Sequence, residues 1–144
     1  MEVKFYDTVN DKLLKFAVVI SQSNGKWVFC KHKERDTYEV PGGHREGGEN
    51  ILETAKRELQ EETGAIRFDM KPLCVYSVTG KTRVNDTGEE SFGLLCYAEI
   101  MEFATELHSE IEKIVLLKEL PEAWTYPLIQ PQLIEKYLQM KNCD

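Results

Sequence analysis

The sequence predicts an α/β layered domain in which a mixed β-sheet is flanked by at least two helices. Three observations carry that expectation. Phe16-Ala17-Val18-Val19-Ile20 is apolar without interruption, the pattern of a central strand buried on both faces. Residues 50–63 and 131–140 carry apolar side chains at helical spacing. Extended stretches, punctuated by Gly, Asn and Asp, fill most of the remaining chain.

Val3 to Tyr6 and Leu14 to Ser21 are expected as strands. Ser23-Asn24-Gly25 is a turn, and Lys26 to Lys31 returns as the second arm of a hairpin. Tyr38 to Val40 is short and extended, and Pro41-Gly42-Gly43 interrupts it with a tight turn in which glycine permits positive φ. Asn50 is the expected N-cap of the first helix, with Glu53 completing a capping box and Gly64 closing the helix at Thr63. Residues 66–79, 90–101 and 111–117 are the next strands, with Asn85-Asp86-Thr87-Gly88 turning between two of them. Pro131 to Met140 is the closing helix, expected to bury Leu133, Ile134, Tyr137 and Leu138.

The chain has 144 residues, 42% of them hydrophobic and 30% charged, with no repeat or linker, which suits a single domain over 1–144. No apolar run reaches the roughly 18 residues that cross a bilayer, and the charged start, Met1 to Asn10, does not resemble a signal peptide. The expectations are cytoplasmic residence and no membrane partner. A net charge of −7 argues against a duplex nucleic acid partner, which needs a basic stripe. It leaves a phosphate substrate open, because a cation held by carboxylates reverses the local field. Four cysteines, Cys30, Cys74, Cys96 and Cys143, form no CxxC pair. Reduced, mostly buried thiols are the expectation, against a zinc site on Cys30 and His32.

On a wheel of about 100° per residue, Ile51, Leu52, Ala55, Leu59 and Ile66 form the core stripe of the first helix. Glu58, Glu61 and Glu62 share one sector, two of them at the margin of that stripe. A solvated face is the ordinary reading of helical glutamates. Here Glu58 and Glu62 are like charges at i,i+4, which repel even when exposed and more at a half-buried edge. Arg57 and Lys56, the local cations, are not expected in that sector. A hard cation such as Mg²⁺ removes the conflict, since it takes oxygen ligands and shares them with phosphates. The preceding Pro41-Gly42-Gly43 supplies free backbone groups, including a carbonyl that can ligate a metal, and Gly47-Gly48 adds a second flexible point. By itself that loop is equally a plain strand-to-helix turn.

Gly43, five residues, Glu49, seven residues, then Arg57-Glu58-Leu59-Gln60-Glu61-Glu62-Thr63-Gly64-Ala65 resembles the Nudix box, a pattern of 23 residues. Every fixed position matches. Ala65 departs at the last apolar position, where Ile66 beside it is expected to supply the missing bulk. The lead-in Tyr38-Glu39-Val40-Pro41-Gly42-Gly43 is similar to that of MutT-like members of the family. The resemblance implies a Nudix-type α/β/α sandwich and an enzyme acting on acid anhydrides in phosphorus-containing compounds, with Mg²⁺ or Mn²⁺ as cofactor. It implies Glu58, Glu61, Glu62 and the Gly42 carbonyl as metal ligands, Arg57 as the residue that orients a carboxylate, and Glu49 as support for the loop and helix. A further glutamate from a later loop is implied as ligand or base. Glu110 is the first candidate and Glu112 the second, and the base is left open among Glu58, Glu61 and Glu110.

The expected substrate is a small-molecule nucleotide, most specifically a nucleoside triphosphate, normal or oxidised, cut as a MutT-like pyrophosphohydrolase does. A nucleotide sugar, ADP-ribose, an RNA 5′ end, or a non-catalytic nucleotide sensor are the alternatives. Lys31, Lys33 and Arg35 either stabilise phosphate charge or form a solvated edge. In the segment Leu120 to Pro127, Trp124 or Tyr126 either stacks on a base or plugs the gap under the last helix. The loop from Gly80 to Glu90 is a lid or an idle hairpin tip. The chain is expected as a monomer or homodimer.

Overall fold

The computed structural model describes residues 1–81, 87–105 and 111–142, and only the backbone of 111 and 112. The strands are β1 (Glu2–Tyr6), β2 (Leu14–Ser23), β3 (Lys26–His32), β4 (Tyr38–Glu39), β5 (Gly42–His44), β6 (Ala65–Thr79), β7 (Ser91–Phe103) and β8 (Ile111–Leu117). The helices are α1 (Ile51–Thr63) and α2 (Gln130–Asn142), with a short 3₁₀ turn at Asp11–Leu13. The strands form one sheet in the order β1-β6-β7-β2-β3-β4, with β5 paired to β2 and β8 to β3. Strand β2 runs parallel to β7 and antiparallel to β3, so the sheet is mixed.

The apolar run of β2 is continuous because both faces of the strand are covered. Ala17 and Val19 pack with Ile51, Ala55 and Leu59 of α1. Val18 and Ile20 point the other way and pack with Leu133, Ile134 and Tyr137 of α2. Full burial of one such aliphatic side chain is worth about 1.5–3 kcal/mol. The result is the expected α/β/α sandwich, with β2 at its centre.

Local chemistry sets the element ends. Asn24 and Gly25 turn the β2–β3 hairpin at φ 52° and 77°, the positive values a tight two-residue turn needs. The Asn50 side chain accepts from the Glu53 amide while the Glu53 side chain accepts from that of Asn50, a complete capping box. Gly64 closes α1 in the left-handed region, its amide donating to the Gln60 carbonyl at 3.0 Å.

Several expectations are corrected. Gly42 and Gly43 do not turn the chain. They belong to β5, which pairs with β2 through Ala17↔Gly43 and Val18↔Gly42, and neither has positive φ. Leu52, Ile66 and Leu138 lie at 37%, 56% and 37% exposure, outside the core in which they were expected. The apolar arcs on both helices are narrower than the wheels suggest, because only the part facing the sheet is covered. Ile66 supplies no bulk for Ala65; Ala65 itself is buried in the α1-side core. Of the expected turn at 85–88, Asn85 and Asp86 lie outside the described residues. Cys30, Cys74 and Cys96 are buried free thiols as expected, and Cys143 lies outside the described residues. Among the described residues, no helix is long and apolar enough to cross a membrane.

Candidate active site

The first turn of the site is organised by Arg57. Its guanidinium grips Glu49 with a fork, Nε to Oε2 at 2.6 Å and Nη2 to Oε1 at 3.1 Å. Nη1 donates to Glu58 at 2.7 Å and to Glu61 at 3.3 Å, and Nη2 to the His44 carbonyl at 3.0 Å. The expectation that Arg57 stays out of the carboxylate sector is therefore overturned. A wheel places Cα atoms, whereas the long arginine stem carries its head group well away from its own Cα direction. One cation thus ties α1 to the loop before it.

Glu49 completes the tie. It also accepts from the Glu46 amide at 2.9 Å and the Thr54 hydroxyl at 3.0 Å. The Arg57 hydrogen bonds, helped by those from Glu46 and Thr54, hold its carboxyl down at about 2. Glu49 thus clamps the loop before α1 to the helix.

Glu62 is in the opposite state. Burial, then the neighbouring Glu58 and Glu39 carboxylates, push its pKa up to about 9. The Gly42 amide donates to Glu62 Oε1 at 2.8 Å and pulls the other way. Glu58 is raised as well, chiefly by burial, with Arg57 opposing. Of the two, Glu62 is the one displaced far enough to stay protonated at neutral pH, with Glu58 adding to the shift. Glu61 stands at the rim, its side chain 53% exposed.

The neighbouring backbone is shaped to admit these groups. A Cβ on Gly43 would lie 2.5 Å from Glu58 Oε1, so no larger residue fits against that carboxylate. A Cβ on Gly42 would lie 2.8 Å from the Ala17 carbonyl oxygen. Close approach, not turn geometry, explains this glycine pair. Among the described residues no three Asp, Glu, His or Cys side chains converge as a ready metal cage. The carboxylates are instead held in place by Arg57 and the Gly42 amide.

A cavity of about 450 Å³ opens from Gly42 and Gly43 to the other face of the sheet. Phe16, Val40, Tyr76, Val78, Ile129 and Leu133 give it an apolar wall. Gln130, at the start of α2, is buried beside it, its side-chain oxygen accepting from the Val40 amide at 2.9 Å. That size and character suit a small planar ligand.

The expected substrate contacts divide. Tyr126 lines the cavity, but Trp124 does not: its ring meets Phe29 edge-on at 5.4 Å between centroids, filling the gap under α2. Arg35 spends its charge on Glu39, at 3.1 Å, and it is Glu39 that reaches the cavity. Lys31 lies on β3, its ammonium donating to the His32 carbonyl at 3.5 Å, away from the cavity lining. Glu110 lies outside the described residues, as does the side chain of Glu112. The Cys30 thiol is buried and donates to the Glu62 carbonyl at 3.5 Å, which makes it part of the packing beneath α1.

The sequence alone did not single out Glu39, Phe16, Tyr76 or Gln130 for the site. Glu39 carried a signal, a charge inside an apolar strand. The others have none, since their roles exist only once β2, β6 and α2 meet.

Known proteins agree with this geometry. A Bacillus subtilis (strain 168) protein, YtkD, provisionally named an 8-oxo-dGTP diphosphatase, is 39% identical over 84 residues. That match takes in 58% of this chain and 52% of YtkD, so the chain spans about half the length of that relative. A crystal structure of the Bacillus subtilis pyrophosphohydrolase BsRppH superposes with a TM-score of 0.76 at 28% identity, covering 95% of this chain and 90% of that one. The NUDIX domain of Shewanella oneidensis NrtR, solved with ADP ribose, shares the fold with a TM-score of 0.65 at 16% identity, covering 88% and 86% of the two chains. The NUDIX domain family matches residues 11–137, nearly the whole sandwich and all of the carboxylate edge, and the chain belongs to that family.

Proposed function

We propose that the protein is a divalent-metal-dependent pyrophosphohydrolase of nucleoside triphosphates, normal or oxidised, releasing pyrophosphate. One observation carries the reading. Two half-buried glutamates, Glu58 and Glu62, are pressed together behind a glycine backbone at the mouth of a cavity sized for a nucleoside. Such a pair is costly unless a cation joins it. The names of BsRppH, a pyrophosphohydrolase, and YtkD point the same way.

The donor set is all oxygen, which fits a hard ion such as Mg²⁺ or Mn²⁺. Glu58, Glu61, Glu62 and the Gly42 carbonyl would hold it, with Glu110 as a further ligand. The bound ion supplies neutralisation of the diphosphate and a more acidic water. Arg57 fixes Glu58 and Glu61 at known positions, a positioning role that tunes how they act on the reacting groups. Glu58, Glu61 and Glu110 are the candidates for the carboxylate that takes the proton of the attacking water. The apolar wall of the cavity holds the base and excludes water beside the phosphates. Tyr126 lies where a base contact is available.

Pyrophosphate release with Mg²⁺ tests this across deoxynucleoside triphosphates, their oxidised forms, ADP-ribose, nucleotide sugars and triphosphorylated RNA. The expected result is release from a nucleoside triphosphate that falls about 10²–10⁴-fold in Glu61→Gln, with the fold intact by circular dichroism. A protein inert to every triphosphate but active on ADP-ribose or a nucleotide sugar would replace this reading.

A further inference from the structure

Strand β2 changes face once along its length. In a regular strand Lys15, Ala17 and Val19 share one side, and Leu14, Phe16 and Val18 the other. Here Leu14 packs with Ala17 and Val19 in the core under α1, while Phe16 packs with Val18 and Ile20 against α2. The change is made at Lys15. Pairing with β7 runs Leu14↔Phe92 and then Phe16↔Gly93, which leaves Lys15 as the extra residue of a bulge. A bulge re-aims side chains, often beside a binding site. It turns Lys15 to the side of Phe16, and both line the cavity. The Lys15 carbonyl accepts from the Arg45 amide at 2.8 Å, which pins the bulge to the segment leading into α1.

Lys15 is the one lysine or arginine among the described residues that line this cavity. Its neighbours there include Phe16, Val78 and Ser91. No described carboxylate pairs with it. An ammonium donates and cannot accept. Beside an apolar slot that admits a flat ring, it favours a ring edge rich in acceptors.

Resting on the nucleotide reading above, we propose that Lys15 is a specificity-determining residue selecting a guanine-type base over adenine. The O6 and N7 atoms of guanine both accept, whereas adenine presents an amino donor in place of O6, and lysine pairs with the former edge. The bulge is the device that brings this charge to the base end, while the carboxylates take the phosphate end.

Two measurements on the full chain test it: calorimetric binding of GMP and AMP without metal, and kcat/KM for dGTP and dATP with Mg²⁺. Wild type should prefer guanine about tenfold in both. Lys15→Met should bring that ratio near one at an unchanged melting temperature, because the side chain is exposed, and Lys15→Arg should restore most of it. An unchanged ratio in Lys15→Met overturns the assignment. Equal losses on both bases overturn it too, since Lys15 then serves the phosphates, and so does a wild type with no preference. A GMP preference that Lys15→Met abolishes, in a protein that hydrolyses neither triphosphate, supports the role of Lys15 and brings down the nucleotide-hydrolase reading instead.

Discussion

At one end of the groove, Arg57, Glu58, Glu61 and Glu62 come from two turns of a single helix and are held by a loop directly before it. At the other end, Phe16, Tyr76, Gln130 and Leu133 arrive from β2, β6 and α2 and meet only in the folded chain. The carboxylate end is charged and internally repulsive, kept in place by one arginine and one backbone amide. The apolar end is continuous with the core under α2. The contrast teaches that this molecule divides stability from chemistry: α2 supplies the first, and the α1 edge spends some of it. Carboxylates perturbed in this way cluster at functional sites.

The sharpest way to break the contrast is to remove an anchor from the stable end. Leu133 is fully buried against α2's side of the sheet. Leu133→Ala should cost about 2–5 kcal/mol, read as a lower midpoint in urea. A cost near zero would mean that the apolar end is not the stabilising half. At the charged end, Gly43→Ala places a Cβ 2.5 Å from Glu58 Oε1. It should cost about 1–3 kcal/mol and more in activity than in stability, because Glu58 must move to make room. Full activity in a folded Gly43→Ala protein would show that the position of Glu58 is immaterial.

The smallest effect concerns protons. Glu62 has a raised pKa in the fold, so the folded state keeps a proton that the unfolded chain releases near 4.5. Stability is therefore full below that pH and is lost as pH rises toward the folded value. Without metal, the melting temperature should fall between pH 5 and pH 8 by a few degrees. Glu62→Gln should flatten that fall, and Mg²⁺ should offset it in the wild type. A wild-type melting temperature that rises over that range, metal-free, would contradict the buried pair.

Much of the fold was legible because its signals are local. The capping box at Asn50, the Asn24-Gly25 turn and the two-sided apolar run of β2 each follow from a few adjacent residues. Strand β5 escaped notice because a strand of Gly-Gly-His has no alternating side chains to betray it. Leu52, Ile66 and Leu138 were misplaced because periodicity gives the direction of an apolar face but not how much of it a neighbour covers.

By itself, then, the sequence determined that Glu58, Glu61 and Glu62 share one sector, since a helix converts spacing directly into a shared face. Tertiary structure alone decided which carboxylates Arg57 grips, that Gly43 is needed for room, and that Trp124 is a plug while Tyr126 meets the cavity. It also decided that Lys15 turns with Phe16 instead of Ala17. The reason is physical: side-chain reach, steric clearance and a one-residue slip in strand pairing depend on what stands opposite, and the neighbours opposite come from distant parts of the chain.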